Sequence, residues 1–184
     1  HKMLGPTGVG VLWGKDLEAL PPFLFGGSMI ENVTMTDATW AAAPKKFEAG
    51  VPNMAQAVGL ASAINYLKVI GMNRVDQHEI ELAKVFLDGL KSISGVKIFG
   101  PTEMVDRGGI VSFLVDGIHA HDLAQFFDAN GIATRAGHHC AWPLARKFNV
   151  VATTRASFYI YNDLTDVEAL LSAIHDVKKF FLER

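Results

Sequence analysis

The chain has 184 residues, of which 49% are hydrophobic and 20% charged, and its formal net charge is −2. Such a composition is typical of a globular protein with one substantial core or two small ones, and it excludes a disordered tail. No long run of lysine and arginine provides the charge that binding to nucleic acid requires, and no apolar run approaches the roughly 20 residues of a membrane span.

The chain contains a single cysteine, Cys140, and therefore cannot form an internal disulfide. No signal-peptide pattern is present at its start. Both observations indicate a reducing compartment, and we expect a cytoplasmic location. The first residue is His rather than Met, which predicts either a fragment of a longer fold or a processed N-terminus.

The first 71 residues contain two predicted elements separated by irregular chain. The run GVGVLWG (8–14) is short, apolar and bounded by glycines, which favours a buried strand. Residues 15–50 are rich in Pro, Gly, Ser and Thr and are predicted to be mostly irregular. From Pro52 a helical spacing begins and ends at Gly71. Its predicted face comprises Met54, Ala57, Val58, Ala61, Ile64, Leu67 and Lys68.

The remainder, 72–184, is predicted to be a smaller α/β domain in which helices back a short sheet. The pattern predicts a helix at 73–92, strands in GVKIFG and GIVSFLVDG, and a helix in HAHDLAQFFDANG. Two more strands are predicted in IATR and TRASFYIY. A closing helix follows, for which Thr165 and Glu168 have the spacing of a capping box.

A zinc site is the first hypothesis for the stretch TRAGHHCAWP (134–143), because histidine and cysteine side chains are zinc ligands. The spacing argues against such a site, since adjacent histidines in a tight loop do not easily face one ion and no second cysteine completes a ligand pattern. We therefore expect no metal. The possible donors are His119, His121, His138, His139 and Cys140.

Two other interpretations of Cys140 remain open at this point. Most free cysteines are small buried hydrophobic residues. However, Gly137 permits a tight backbone and Arg135 lies close enough in sequence to stabilise a thiolate, which favours a nucleophile. His138 and His139 could shuttle protons or serve only to shape the loop.

Two cations outside this stretch are also candidates for chemistry. Lys2 is either a solvated charge or, if the following MLGPTG turns into a buried strand, an amine at a cleft that can form a Schiff base. Arg155 lies within a predicted apolar strand, where a charge is costly unless paired. It therefore forms either a structural salt bridge or a bidentate contact with a bound carboxylate.

Three motifs, HKMLGPTGVG, RAGHHCAWP and RASFYIYN, resemble those of Suf-type cysteine desulfurases, the group II branch of the class V aminotransferase family. PPFLFGGSMI, FEAGVPN and the final helix are also similar, so the resemblance covers nearly the whole chain. Proteins of this family are about twice as long. The resemblance therefore implies the C-terminal part of a fold-type I pyridoxal phosphate enzyme, with the end of the large domain at 1–71 and the small domain at 72–184.

The resemblance also implies roles for individual residues. Lys2 matches the Schiff-base lysine that also moves the Cα proton, and His1 matches the neighbour of that lysine on the phosphate side of the cofactor. Cys140 matches the sulfur acceptor and Arg155 the clamp on the substrate carboxylate, while Arg135 matches an active-site arginine. The implied reaction converts L-cysteine to L-alanine with a persulfide on Cys140.

The implied partners are a second copy of the protein and a sulfur-acceptor protein, and the implied process is iron-sulfur cluster assembly. One departure from the family is Val51, which stands where a threonine is expected to reach the cofactor phosphate. Because other cofactor ligands of the family lie outside this chain, we expect the chain alone to bind cofactor poorly and to be inactive. The alternatives are a selenocysteine lyase of the same fold and a non-catalytic partner-binding domain.

Overall fold

The computed structural model describes residues 1–182. The chain divides into two compact units, His1–Ile70 and Gly71–Arg184. The interpretation of the first unit as the end of a cofactor-binding domain stays a prediction. No helix within residues 1–182 is long and apolar enough to cross a membrane.

The strand predicted at 8–14 is not formed, and that prediction is wrong. The segment has no regular structure, and the side chains of Val11, Leu12 and Trp13 are 82%, 90% and 81% exposed. A strand is stable only when a neighbouring strand pairs with its backbone N–H and C=O groups. In the described part of the first unit the two strands lie at Ile30–Val33 and Ala38–Trp40 and pair with each other.

These two strands, β1 (Ile30–Val33) and β2 (Ala38–Trp40), form a small hairpin within the segment predicted to be mostly irregular. Its turn is closed by Thr34, whose N–H donates to the carbonyl oxygen of Asp37 at 2.8 Å and whose Oγ1 accepts from the Asp37 N–H at 2.9 Å. A 3₁₀ turn follows at Lys45–Phe47.

Helix α1 (Met54–Ile70) agrees with the predicted helix, but its predicted buried face is largely wrong. Only Ala63 and Leu67 are buried, whereas Met54 and Val58 are exposed. The helix ends before Gly71, whose φ of 91° suits glycine far better than any residue with a Cβ.

The second unit contains a four-stranded antiparallel sheet. Its strands, in spatial order, are β3 (Val96–Phe99), β4 (Ile110–Val115), β6 (Thr153–Ser157) and β5 (Arg135–Gly137). Long helices pack on one face of it, where Val111, Phe113 and Ala156 are buried, and the Phe86 ring contacts the Phe113 ring edge-on at 5.7 Å. The elements are α2 (Met72–Ser92), β3 (Val96–Phe99), β4 (Ile110–Val115), α3 (Ala120–Ala129), β5 (Arg135–Gly137), α4 (Trp142–Lys147), β6 (Thr153–Ser157) and α5 (Leu164–Leu182).

Two predicted strands of this unit have different bounds in the structure. The strand predicted in IATR instead begins at Arg135, because Ile132 packs against the core and only residues from Arg135 onward pair with β6. The strand predicted in TRASFYIY ends at Ser157. Helix α4 was not predicted from the sequence, since six residues are too few to show a helical period.

The cap of α5 is formed by Asp163 and Asp166, so the predicted Thr165–Glu168 capping box is wrong. Asp163 Oδ1 accepts from the N–H groups of Thr165 and Asp166 at 2.8 and 3.3 Å, and Asp166 Oδ2 accepts from the Asp163 N–H at 3.2 Å. The reason is that the helix begins at Leu164, which makes Asp163 the residue that precedes its first turn.

We expect Asp163→Ala to lower the melting temperature by a few degrees, because helix N–H groups lose their acceptor. Glu168→Ala, at the other predicted position, should leave it nearly unchanged. Hydrogen bonds from Thr165 and Asp166 hold the pKa of Asp163 below its ordinary value of 3.8. The stabilisation of the fold by the ionised Asp163 carboxylate is therefore complete above pH 3.8 and is lost as the pH falls through the lowered pKa of this group. Thermal unfolding at pH 7 and at low pH measures both effects.

Candidate active site

A row of polar side chains crosses the sheet face opposite the long helices of the second unit. In the strand register Ser112 of β4 lies opposite Arg155 of β6, and Arg155 lies opposite Arg135 of β5. Directly opposed residues of antiparallel strands project from the same face. Arg155 and Arg135, which the resemblance assigns to one active site, are therefore neighbours on one surface.

These arginines have no anionic partner in the described chain. Within residues 1–182 neither guanidinium forms an ion pair with a carboxylate, so the structural salt bridge considered for Arg155 is absent there. Arg155 is half-buried, and its Nε is fully buried without a hydrogen-bond partner. A buried donor without an acceptor and two opposed like charges are both unfavourable. An anion bound between the guanidinium groups would relieve both.

A cavity of about 350 Å³ opens beside Arg155. Its walls are mainly apolar, and the rings of Phe99 and Phe148 contact each other there with centroids 5.4 Å apart. Arg155, Ser112 and Thr153 supply polar groups. An apolar cavity with a few polar groups that converge in it is typical of a small-molecule site.

Cys140 lies at the edge of this cavity, in a tight turn that follows β5. The neighbours His139 and Ala141 line the cavity, and Cys140 itself is exposed, so the interpretation as a buried hydrophobic residue is wrong. The turn is closed by the Ala141 N–H, which donates to the carbonyl oxygen of His138 at 2.9 Å.

The two central residues of this turn have left-handed backbones. His139 has a φ of 54° and Cys140 a φ of 61°. Positive φ at both positions is typical of a type I′ turn, in which Gly, Asn and Asp are preferred. Each non-glycine residue held in this way costs on the order of 1–3 kcal/mol, and such strain is concentrated at functional sites. The thiol therefore lies in a turn whose two central residues, His139 and Cys140, are not those that the backbone conformation favours.

Side chains on both sides of the thiol hold this turn. The His138 ring stacks on the Trp142 ring with centroids 3.8 Å apart, and the Arg146 guanidinium lies 5.9 Å from the centroid of the same indole. On the other side, His139 Nε2 lies 3.0 Å from Thr153 Oγ1 and 3.2 Å from the Thr153 carbonyl oxygen. The turn is therefore attached to α4 and to β6.

The environment of His139 favours its neutral form. Burial lowers the pKa of His139 below its ordinary value of 6.5, and the positive charges of Arg155 and Arg135 lower it further. A neutral ring retains one nitrogen that can accept a proton.

His119 and His121, the other two histidines of the zinc hypothesis, lie at the start of helix α3. His119 Nδ1 accepts from the His121 N–H at 3.3 Å at the start of α3, and the two rings stack with centroids 5.3 Å apart. Among the residues that the structure describes, no group of three or more His, Cys, Asp or Glu side chains is arranged to hold a metal ion.

Lys2 and His1 belong to the first unit. Both are exposed, and the His1 carbonyl oxygen accepts from the Leu4 N–H at 3.0 Å in a turn. Within residues 1–182 the Lys2 amine forms no ion pair. Because the strand expected after this turn is not formed, the placement of Lys2 at a strand end is wrong. Its role as the cofactor lysine stays a prediction.

Residues 1–170 match the family model described as Aminotransferase class-V. The chain belongs to the class V aminotransferase family. Over 183 residues it is 52% identical to the probable cysteine desulfurase 2 of Mycobacterium leprae, a match that covers 98% of this chain and 44% of that protein. The chain thus spans less than half the length of the relatives it matches.

Solved structures give the same family and fold. The cysteine desulfurase CsdA of Escherichia coli, in an S-sulfonic acid form, matches with a TM-score of 0.92 and 37% identity over 99% of this chain and 45% of that one. An apo cysteine desulfurase of Thermococcus onnurineus matches with a TM-score of 0.91 and 38% identity over 97% and 45%. The predicted α/β fold and the resemblance to class V cysteine desulfurases are confirmed.

For this class V chain, the structure brings Arg135, Arg155 and the Cys140 turn together on one surface of the second unit. Sequence reasoning missed Thr153, although it stands two residues before Arg155 and strand alternation places both on the same face. It also missed Trp142, whose stacking on His138 has no signature in the sequence.

Proposed function

We propose that the chain is part of a pyridoxal phosphate-dependent cysteine desulfurase of the Suf type, which converts L-cysteine to L-alanine and retains the sulfur as a persulfide on Cys140. The observation that carries the proposal is the pair of guanidinium groups without an anion beside an exposed thiol. The similarity to cysteine desulfurases supports it.

The second unit supplies the groups that bind the amino acid. The planar fork of Arg155 matches a carboxylate with two parallel hydrogen bonds, and Arg135 adds a second positive charge on the same face. Binding the substrate by its carboxylate orients the substrate sulfur relative to the Cys140 thiol. Holding the two reacting groups in a fixed geometry increases the rate of the attack.

Cys140 performs the nucleophilic step. Its thiolate attacks the substrate sulfur and forms a sulfur–sulfur bond on the enzyme. The bond between that sulfur and Cβ breaks, and its electron pair stays with Cβ, which takes up a proton and becomes the methyl group of alanine. Exposure of the thiol at the rim of the cavity also allows a sulfur-acceptor protein to reach the persulfide.

Pyridoxal phosphate, when bound, supplies an electron sink that labilises the Cα proton and the bond from Cβ to sulfur. The described residues fit this cofactor in one respect: the exposed Lys2 amine forms no ion pair and is available to its aldehyde. His1 is adjacent. Val51, 84% exposed, has no hydroxyl to offer a phosphate. After substrate binding the freed Lys2 amine would carry the Cα proton.

The wider setting of the reaction is also part of the proposal. We place the enzyme in the cytoplasm as a homodimer that supplies sulfur for iron-sulfur cluster assembly through an acceptor protein. The lone exposed cysteine agrees with a reducing compartment.

Peptide mass spectrometry of the full-length protein tests this proposal. After incubation with pyridoxal phosphate and L-cysteine, the peptide that contains Cys140 should gain one sulfur atom. Borohydride reduction of the protein with cofactor alone should attach a pyridoxyl group to the peptide that contains Lys2. A protein that produces alanine while its Cys140 peptide stays unmodified would contradict the acceptor role.

A further inference from the structure

We infer that His139 is the positioning residue that holds the Cys140 thiol at a set place relative to Arg155, through its contact with Thr153. The inference rests on the proposed function. His139 immediately precedes the thiol, and its Nε2 lies 3.0 Å from Thr153 Oγ1 and 3.2 Å from the Thr153 carbonyl oxygen.

This contact connects the thiol turn to the strand that carries the arginine. Thr153 and Arg155 are two residues apart in β6, so their side chains project to the same face. Gly137, the last residue of β5, lies directly opposite Thr153. The chain turns after Gly137, and the His139 ring contacts Thr153, the same residue that pairs with Gly137. The position of the thiol relative to β6 is therefore set by two contacts, the backbone pairing of Gly137 with Thr153 and the side-chain contact of His139 with Thr153.

The chemistry of the contact defines the state of the ring. A carbonyl oxygen only accepts hydrogen bonds, so the contact with the Thr153 carbonyl oxygen is a hydrogen bond in the tautomer that carries its proton on Nε2. Burial lowers the pKa of His139, and the titratable groups that act on the ring, Arg155, Arg135 and His138, lower it further. The environment therefore favours the neutral ring, which can donate to Thr153 from Nε2 without a carboxylate partner.

The turn requires such a contact because its backbone is not the one its residues prefer. His139 and Cys140 both have positive φ, where glycine or asparagine would be favoured. If the ring contact is removed, the turn can relax to other backbone angles and the thiol leaves its place. Displacement of a reacting group by about 1 Å can reduce the rate by about a hundredfold.

The test compares four variants of the full-length protein loaded with pyridoxal phosphate, with L-cysteine as substrate. His139→Gly accepts the left-handed backbone but removes the ring, His139→Gln retains a donor, and Thr153→Val removes the hydroxyl but keeps the carbonyl oxygen. His175→Ala, an exposed histidine on α5, is the matched control. The readouts are kcat, KM, the melting temperature and cofactor absorbance.

We expect His139→Gly to lower kcat by about tenfold to a hundredfold while KM changes by less than about twofold, because Arg155 still binds the substrate. The melting temperature and cofactor content should stay at wild-type values. Thr153→Val should show a smaller decrease in kcat, and His139→Gln should recover most of the activity.

A His139→Gly protein with wild-type kcat would overturn the inference, as would a loss of kcat matched by equal losses of cofactor and melting temperature in all three variants. Failure of the proposed function is a separate outcome. It would appear in the wild-type protein as the absence of a persulfide on Cys140, before any variant is compared.

Discussion

Replacement of Cys140 by alanine is expected to reduce the turnover of L-cysteine by more than about 10³-fold. Without the thiol, no nucleophile attacks the substrate sulfur and the sulfur–sulfur bond does not form. The fold should be unaffected, since the side chain is exposed and contributes nothing to the core. The measurement is the rate of alanine formation by the full-length protein at saturating L-cysteine, with cofactor absorbance as a check on loading.

Two comparisons sharpen this result. Cys140→Ser keeps the size of the side chain but supplies a hydroxyl in place of a thiol, so it should be as inactive as Cys140→Ala toward L-cysteine. Selenocysteine should be tested with the same proteins. If Cys140→Ala retains wild-type turnover of both amino acids, the thiol is not the sulfur acceptor and a lyase that needs no acceptor thiol is the better description.

Replacement of Arg155 by alanine is expected to lower kcat/KM for L-cysteine by about 10²- to 10⁴-fold, mainly through a higher KM. Hydrogen bonds to charged groups contribute about 1.5–3 kcal/mol, and two of them would be lost. The Nε of Arg155 is buried and has no hydrogen-bond partner among the described residues, so this donor is available to an anion. Steady-state kinetics with L-cysteine measures the effect.

The choice of variants separates geometry from charge. Arg155→Lys keeps the positive charge but not the planar fork, so it should recover only part of the loss. Arg74→Ala, which removes an exposed arginine from α2, should behave as wild type. The His139 ring provides a second readout: removing the Arg155 charge should raise the pKa of His139, measurable by NMR titration. An unchanged KM in Arg155→Ala would rule out carboxylate binding by this residue.

Most elements of the second unit could be predicted from the sequence. The helices α2, α3 and α5 have a long apolar period, and β3, β4 and β6 are apolar runs bounded by turns, so local patterns and tertiary structure agree. The same reasoning failed at GVGVLWG, where Val11, Leu12 and Trp13 are exposed. An apolar run indicates burial, but whether it forms a strand depends on a neighbouring strand that local sequence does not reveal.

The types of group in the candidate site were also accessible from the sequence. A lone thiol beside histidines and an arginine within an apolar strand are unusual enough to indicate chemistry. Their roles stay predictions until the variants are measured. The salt bridge that the sequence left open for Arg155 could be judged only from its surroundings in space, where the described residues provide no carboxylate partner.

The sequence by itself determined the residue types and the α/β class, because hydrophobic period and side-chain chemistry are local properties. Only the tertiary structure decided that Arg135 faces Arg155, that Cys140 lies exposed in a left-handed turn, and that His139 returns to Thr153. These three facts depend on strand register and on backbone angles. Both are set by the pairing of segments distant in the chain, so no short stretch of sequence encodes them.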